Sequence, residues 1–447
     1  MYHDLTQGNI TRGLLRFALP MIAGDLLQQF YNIADTLIVG RALGRDALAA
    51  VGSAFSLMIF LTSVFLGLSM GAGALFSIRR GQGDDRGLRT AAGHAFLLIA
   101  GVTAVLTAAV YLLLDGILRF LQIPPALYAP MREYLAIIFA GLAGTFFYNF
   151  FACLLRAVGN SVAPLWFLGA AALLNVGLDL LFVLVFRWGV AGAAATVIAQ
   201  TLSGAGLAAY TWRRCRELLP LPGEFRLEGA VFRELWGLSS LTCLQQCAMN
   251  FGILLIQRLV DSFGPVTMAA FAAGVKIDAF AYLPVQDFGN AFSTFVAQNY
   301  GAGQSERLRR GFRRAMALSL GFACLLSAAV AGFAEPLMGL FLQPEETEVL
   351  AAGVRYLRIE GAFYPGIACL FLLYGIYRAV RRPGMSVVLT VLSLGTRVAL
   401  AYALAGPVGE SGIWWAIPIG WFLADAVGLG YYFRHRRTLL PDRRSEE

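Results

Sequence analysis

Charge is scarce in this sequence, and lysine is nearly missing. Of 447 residues, 14% are charged and 58% hydrophobic, too little polar surface to clothe a water-soluble fold of this size. Lys276 is the one lysine among 35 basic residues, all others being arginine. Three histidines (His3, His94, His435) and six cysteines (Cys153, Cys215, Cys243, Cys247, Cys324, Cys369) show no metal-ligand spacing, and no nucleophile motif accompanies them, so neither an enzyme nor a disulfide frame is expected. Cys243 and Cys247 stand one helical turn apart, a spacing that small apolar filler explains. Strand-like alternation is absent too: the apolar runs are too long for barrel strands. The first run lacks the layout of a signal peptide and reads as a retained helix.

What the chain does have is apolar length. Mean hydropathy is +0.67, and twelve runs reach membrane-spanning length, at about 13–40, 47–78, 93–114, 131–155, 163–186, 189–212, 233–260, 266–296, 314–334, 351–377, 385–405 and 411–433. The expected fold is an all-α integral membrane protein of twelve transmembrane helices. Prolines within these runs (Pro20, Pro284, Pro365, Pro418) are expected to bend them, with Pro20 as a hinge in the first.

The net charge of +8 would suggest nucleic acid in a soluble chain. The arginines, however, gather in alternate loops: Arg79, Arg80, Arg86 and Arg89; Arg213, Arg214 and Arg216; Arg307, Arg309, Arg310, Arg313 and Arg314; Arg378, Arg381 and Arg382; and the tail from Arg434. An intervening loop carries Glu345, Glu346 and Glu348. The positive-inside rule then places both termini in the cytoplasm, as an even helix count requires, in a cytoplasmic (inner) membrane. The basic charge is topological, and no nucleic acid partner is expected.

The chain also repeats itself. Gly44-Arg-Asp-Ala-Leu-Ala-Ala50 recurs as Gly264-Pro-Val-Thr-Met-Ala-Ala270, Gly81-Gln-Gly83 as Gly301-Ala-Gly303, Leu88-Arg89 as Leu308-Arg309, and Gly189-Val-Ala-Gly192 as Gly409-Glu-Ser-Gly412. At slightly different shifts Gln28-Gln29 matches Gln245-Gln246, and Arg156-Ala-Val158 matches Arg378-Ala-Val380. Two homologous lobes follow, 1–212 and 233–447, joined by a cytoplasmic linker at 213–232 that contains Pro220, Pro222 and Gly223. Six helices per lobe make the repeat parallel, a pseudo-twofold layout that membrane transporters use.

Ionisable residues inside spans cost several kcal/mol and are functional candidates by default. The first run carries Asp25, Gln28, Asn32 and Asp35, whose spacing puts them within about 80° of one helix face. Such a stripe can glue the helix to a neighbour or bind an ion; Asp25, nearer the bend, suits packing or gating. The fifth run supplies Asn175 and Asp179 one turn apart. If that face meets Asp35, two carboxyls and an amide form an oxygen-only site for H⁺ or Na⁺, since two bare carboxylates cannot coexist in low dielectric. In the fourth run Phe146-Phe-Tyr-Asn-Phe-Phe151 offers Tyr148 and Asn149 toward a cavity for flat apolar compounds.

The second half does not repeat this chemistry. Its first run has Gln246, Asn250 and Gln257 on one face. The next has Lys276, Asp278 and Asp287, with Lys276 and Asp287 on one face about three turns apart. Lys276 reads as a buried cation with a transport role or as half of an ion pair, and Arg397 as a partner for Asp278, Asp287 or Glu360.

The stretches Gln28-Gln-Phe-Tyr-Asn-Ile-Ala-Asp-Thr-Leu-Ile-Val-Gly-Arg41, Gly44-x3-Leu-Ala-Ala50 and Ala297-Gln-Asn-Tyr-Gly-Ala-Gly303 resemble the multidrug and toxic compound extrusion (MATE) family. The resemblance runs from Leu14 to about Phe433 and implies two six-helix lobes in a V. It implies export of small organic, often cationic, compounds in exchange for H⁺ or Na⁺ by alternating access, with no cofactor and as a monomer in the lipid bilayer. Carried over by position, the family's first-lobe cation site falls on Asp35, Asn175, Asp179 and Thr196. The chain departs from the branch with acids in the second lobe, since Gln245 and Gln246 stand where a glutamate would be and Pro365 stands near an expected aspartate. A lipid-linked saccharide flippase of the same superfamily is the alternative, and it would need a cationic cleft for which only Lys276, Arg397 and Arg258 are available.

Overall fold

The computed structural model describes residues 3–120, 125–188, 192–220, 226–342 and 345–440, and the side chains among them other than those of residues 36–37, 39–57, 120, 125–127 and 184. Helices alone cross it. In chain order they are α1 (Ile10–Gln82), α2 (Asp85–Phe120), α3 (Pro125–Ala140), α4 (Leu142–Ala157), α5 (Val162–Asp179), α6 (Ala194–Arg214), α7 (Gly229–Asp261), α8 (Pro265–Gly301), α9 (Ser305–Gly332), α10 (Ala334–Gly339), α11 (Thr347–Gly361), α12 (Tyr364–Ala379), α13 (Pro383–Val408) and α14 (Glu410–Leu439). A π-helical turn, Leu180–Val185, continues α5. Helices satisfy their backbone groups internally, which a bilayer demands.

Over the described residues every predicted run falls largely on helix; residues 189–191 of the sixth lie outside them. The first two lie within the single helical stretch α1, and their junction, with Arg41 and the Gly44–Ala50 motif, lies outside the described side chains. The tenth run is broken: α11 and α12 meet at a 49° bend, and Pro365 begins the second piece. Pro20, Pro284 and Pro418 lie inside α1, α8 and α14. Among the described residues nine helices are long and apolar enough to cross a membrane, ten if the bent pair is one span. The two runs left over lie on the first part of α1 and on α6. They carry Asp25, Gln28, Asn32 and Asp35 in one, and Thr196, Gln200, Thr201 and Ser203 in the other. On α2, Val105 is 69% and Leu112 85% exposed, a surface that only an apolar surrounding explains.

The chain divides into two compact units: Met1–His3, Ala23–Arg80 and Asp84–Cys243 in one, and Asp4–Ile22, Gly81–Gly83 and Leu244–Glu447 in the other. Helix α1 thus changes unit two residues after Pro20, and α7 changes unit within its length. In the first unit α4 packs on α6 and α2, and α5 on α6. The ring of Phe96 on α2 contacts Phe146, Phe147, Phe150 and Phe151. The aromatic run expected to line a cavity is therefore core, because these rings gain more by packing on each other than by facing a cleft. In the second unit α12 is the central helix, buried at every residue but Pro365, with α8, α9, α13 and α14 around it. Helices α4 and α12, matched in sequence by Arg156-Ala-Val158 and Arg378-Ala-Val380, thus hold corresponding buried places in their own units.

Candidate cation site

The first unit brings together the residues that the sequence singles out. Asp179 is the last α-helical residue of α5 before the π-helical turn, and such turns recur at functional sites because they re-aim the side chains beside them. Asn175, one turn earlier, and Asp179 are each 2% exposed. The Asp35 carboxyl on α1 faces that of Asp179. The Asn175 amide nitrogen donates to Thr196 Oγ1 on α6 at 3.2 Å. Two buried acceptors, Asp179 Oδ2 and Asn175 Oδ1, have no hydrogen-bond partner.

Around this core stand groups that sequence reasoning missed. Tyr31, one turn before Asp35, lies within hydrogen-bonding reach of Gln28 and Gln200 and close to both aspartates. Gln200, one turn beyond Thr196, accepts from Thr145 Oγ1 at 2.8 Å. Tyr134 of α3 also lies near Asp35 and Asp179. The signal for Tyr31 and Gln200 was their four-residue spacing from Asp35 and Thr196, which puts each on a face already in use.

The weaker candidates disperse. Asn149 donates to its own helix at Thr145 O, 2.9 Å, and the Tyr148 hydroxyl donates to Pro164 O at 3.4 Å, so neither joins the group around Asp35 and Asp179. Asn32 donates to Gln29 Oε1 at 3.4 Å, and Asp25 is half-buried within electrostatic reach of Tyr148. In the second unit Gln246 is buried, Asn250 is half-buried, and Tyr282 reaches Met249 Sδ at 3.6 Å.

Lys276 departs from expectation. It is exposed, whereas Asp278 and Asp287 are buried. Pro284 lies between Lys276 and Asp287, where the regular advance of α8 loses a hydrogen bond. Asp278 instead accepts the hydroxyls of Tyr356 and Tyr364, and Arg397 is the cation near it, one of the partners expected from the sequence.

Chemically, the first-unit constellation offers two carboxyls, an amide oxygen and a hydroxyl. The Asp35 and Asp179 carboxyls act on each other, and Tyr31 and Tyr134 stand near both. Two facing carboxylates withdrawn from water are costly, and a proton or a hard cation such as Na⁺ is what oxygen ligands of this kind suit.

Comparison with known proteins gives these residues a setting. A family model described as MatE matches residues 20–181 and again 242–403. The probable multidrug resistance protein YpnP of Bacillus subtilis is 28% identical over 432 residues, covering 96% of this chain and 96% of its own. The probable multidrug resistance protein NorM of Thermotoga maritima is 24% identical over 415 residues, 91% of this chain and 88% of its own. A crystal structure of MATE in complex with MaL6 shares the fold with a TM-score of 0.92 at 22% identity, over 97% of this chain and 98% of that one. Since one model fits both halves and the fold is shared over nearly the whole length, this chain belongs to the MatE family, the multidrug and toxic compound extrusion transporters.

Proposed function

We propose that the protein is a secondary antiporter that exports organic, often cationic, compounds in exchange for H⁺ or Na⁺. Asp35 and Asp179 bind the coupling cation, and Asn175 and Thr196 orient them. The observation that carries this reading is the facing carboxyl pair with two unpartnered buried oxygens, Asp179 Oδ2 and Asn175 Oδ1. A coupling ion can drive a switch only through unequal affinity for two states, and a carboxyl pair alternately hydrated and buried provides that inequality. Helix α1 changes unit just beyond Pro20, which supports Pro20 as the hinge through which ion binding is felt.

Arginines at the ends of α1, α6, α12 and α14 support cytoplasmic termini in the inner membrane. The parallel six-helix lobes and a monomeric state complete this reading. A saccharide flippase is disfavoured, because Arg397, one of its few cations, is engaged with buried acids.

The test is reconstitution into lipid vesicles with imposed pH or Na⁺ gradients, following efflux of a fluorescent organic cation. Asp35→Asn should insert and fold yet lose gradient-driven efflux. Wild-type rates in that variant would overturn the assignment of the coupling site.

A further inference from the structure

The second unit holds a polar cluster of its own, on different helices. Asp278 of α8 is 8% exposed, and both its oxygens are taken, Oδ2 by the Tyr356 hydroxyl and Oδ1 by that of Tyr364. Glu360, one turn beyond Tyr356 on α11, is also 8% exposed and stands beside Asp278 and Tyr356. Its Oε2 is buried without a partner. Arg397 of α13 acts on both carboxyls. Tyr282, one turn past Asp278, faces Arg397 and Glu360. From α14, Trp414 lies edge-on to Tyr356 with ring centroids 4.9 Å apart, while Glu410 of the same helix is engaged with Thr267 and Arg355.

Charge counting sets what this cluster needs. Two buried carboxylates against one guanidinium leave a single negative charge, and such a charge costs several kcal/mol unless neutralised. One monovalent cation completes the balance. A metal ion wants several oxygens at once, but Asp278 is already committed to two tyrosines, the open atom is a single Glu360 oxygen, and the guanidinium repels a second cation. A proton needs one oxygen only.

We propose that Asp278 and Glu360 together hold one exchangeable proton, a second proton site in the half of the chain where α7 carries glutamines. At the shift of 222 that pairs Arg156 with Arg378, Arg397 takes the place of Asn175. The second unit thus sets a guanidinium where the first has an amide, and draws its acids from α8 and α11 in place of α1 and α5. Proton binding at this pair stands without the antiport reading; its use in transport rests on that reading.

The two are separable by experiment. The full chain in lipid vesicles is examined by pH-difference infrared spectroscopy, following the carbonyl stretch of protonated carboxylic acids. In an Asp35→Asn, Asp179→Asn background, which silences the first site, one carboxylic acid should still titrate. It should vanish on adding Glu360→Gln, and equally on adding Asp278→Asn, because either amide leaves one acid balanced by Arg397. Both replacements keep size and shape, and either alone decides if the other fails to insert. No titrating acid in the background, or one that survives these replacements and so belongs elsewhere, for example to buried Asp425, overturns the proposal. In the transport assay Glu360→Gln with the first site intact should lower the limiting substrate gradient about tenfold per pH unit imposed, the ratio carried by one proton. An unchanged limit would leave the site bound to a proton but would overturn its use in coupling.

Discussion

Thr196 contributes one hydroxyl, and its worth can be isolated. Its Oγ1 accepts from the Asn175 amide nitrogen, while Asn175 Oδ1 has no hydrogen-bond partner and is left for the cation in the proposed site. Removing one such bond costs about 0.5–1.5 kcal/mol, so Thr196→Ala should weaken the apparent affinity for the coupling cation about two- to tenfold. Thr196→Ser, which keeps the acceptor, should restore it, and substrate efflux against cation concentration in vesicles reads both. The carboxylates of this site are legible in the sequence because a membrane span tolerates an acid only for a reason. Tyr134 and Thr145 are not, since uncharged polar residues are ordinary in spans and only their convergence in space distinguishes them, while Tyr31 and Gln200 are marked only by their four-residue spacing from Asp35 and Thr196. Lys276 shows the opposite error: rarity marks it in composition, but the helix turns it to the exposed face, and the buried position two residues on belongs to Asp278.

At the scale of elements, crossings between helices depend on absent side chains. A Cβ on Gly144 of α4 would meet Thr201 Cα of α6 at 2.7 Å, and one on Gly204 of α6 would meet Gly144 O at 2.6 Å. The second unit repeats the device: a Cβ on Gly375 of α12 would meet Gly289 O of α8 at 2.8 Å. Close approach of this kind is how helices associate where lipid and side chain are equally apolar. Gly204→Val should therefore destabilise the protein by about 1–3 kcal/mol, the usual cost of overpacking, seen as a lower midpoint of thermal unfolding in detergent. Gly101→Ala on α2, where a Cβ meets nothing within 4 Å, should be neutral or stabilise by up to about 1 kcal/mol. Helix existence is readable from apolar length alone. The 49° break before Tyr364 and the π-helical turn after Asp179 are local departures; Pro365 hints at the first, whereas no residue in Leu180–Val185 announces the second.

For the whole molecule, the duplicated frame and the unequal chemistry meet in one question of topology. The two runs outside the ten long apolar spans of the described residues, the first part of α1 and α6, carry Asp35 and Thr196, so the site and the count of twelve depend on the same segments. Four reporters separate the possibilities: an N-terminal tag, and cysteines introduced at Arg187 between α5 and α6, at Glu217 after α6, and at Glu346 between α10 and α11. Twelve spans with cytoplasmic ends place the tag and Glu217 inside, and Arg187 and Glu346 outside. If the first part of α1 did not cross, the tag and Arg187 would share a side; if α6 did not cross, Arg187 and Glu217 would. Labelling of intact cells with an impermeant maleimide should therefore mark Arg187→Cys and Glu346→Cys, and mark Glu217→Cys only after permeabilisation, with the tag likewise hidden until then. The native cysteines should add little background, because Cys153, Cys215 and Cys369 are buried, and the half-buried Cys243 and Cys247 and the exposed Cys324 lie inside apolar spans. An alternation in and out across α6 would mean that its Thr196, Gln200 and Ser203 are carried through the bilayer despite their cost, which only polar partners inside the protein, such as Asn175 and Thr145, make tolerable.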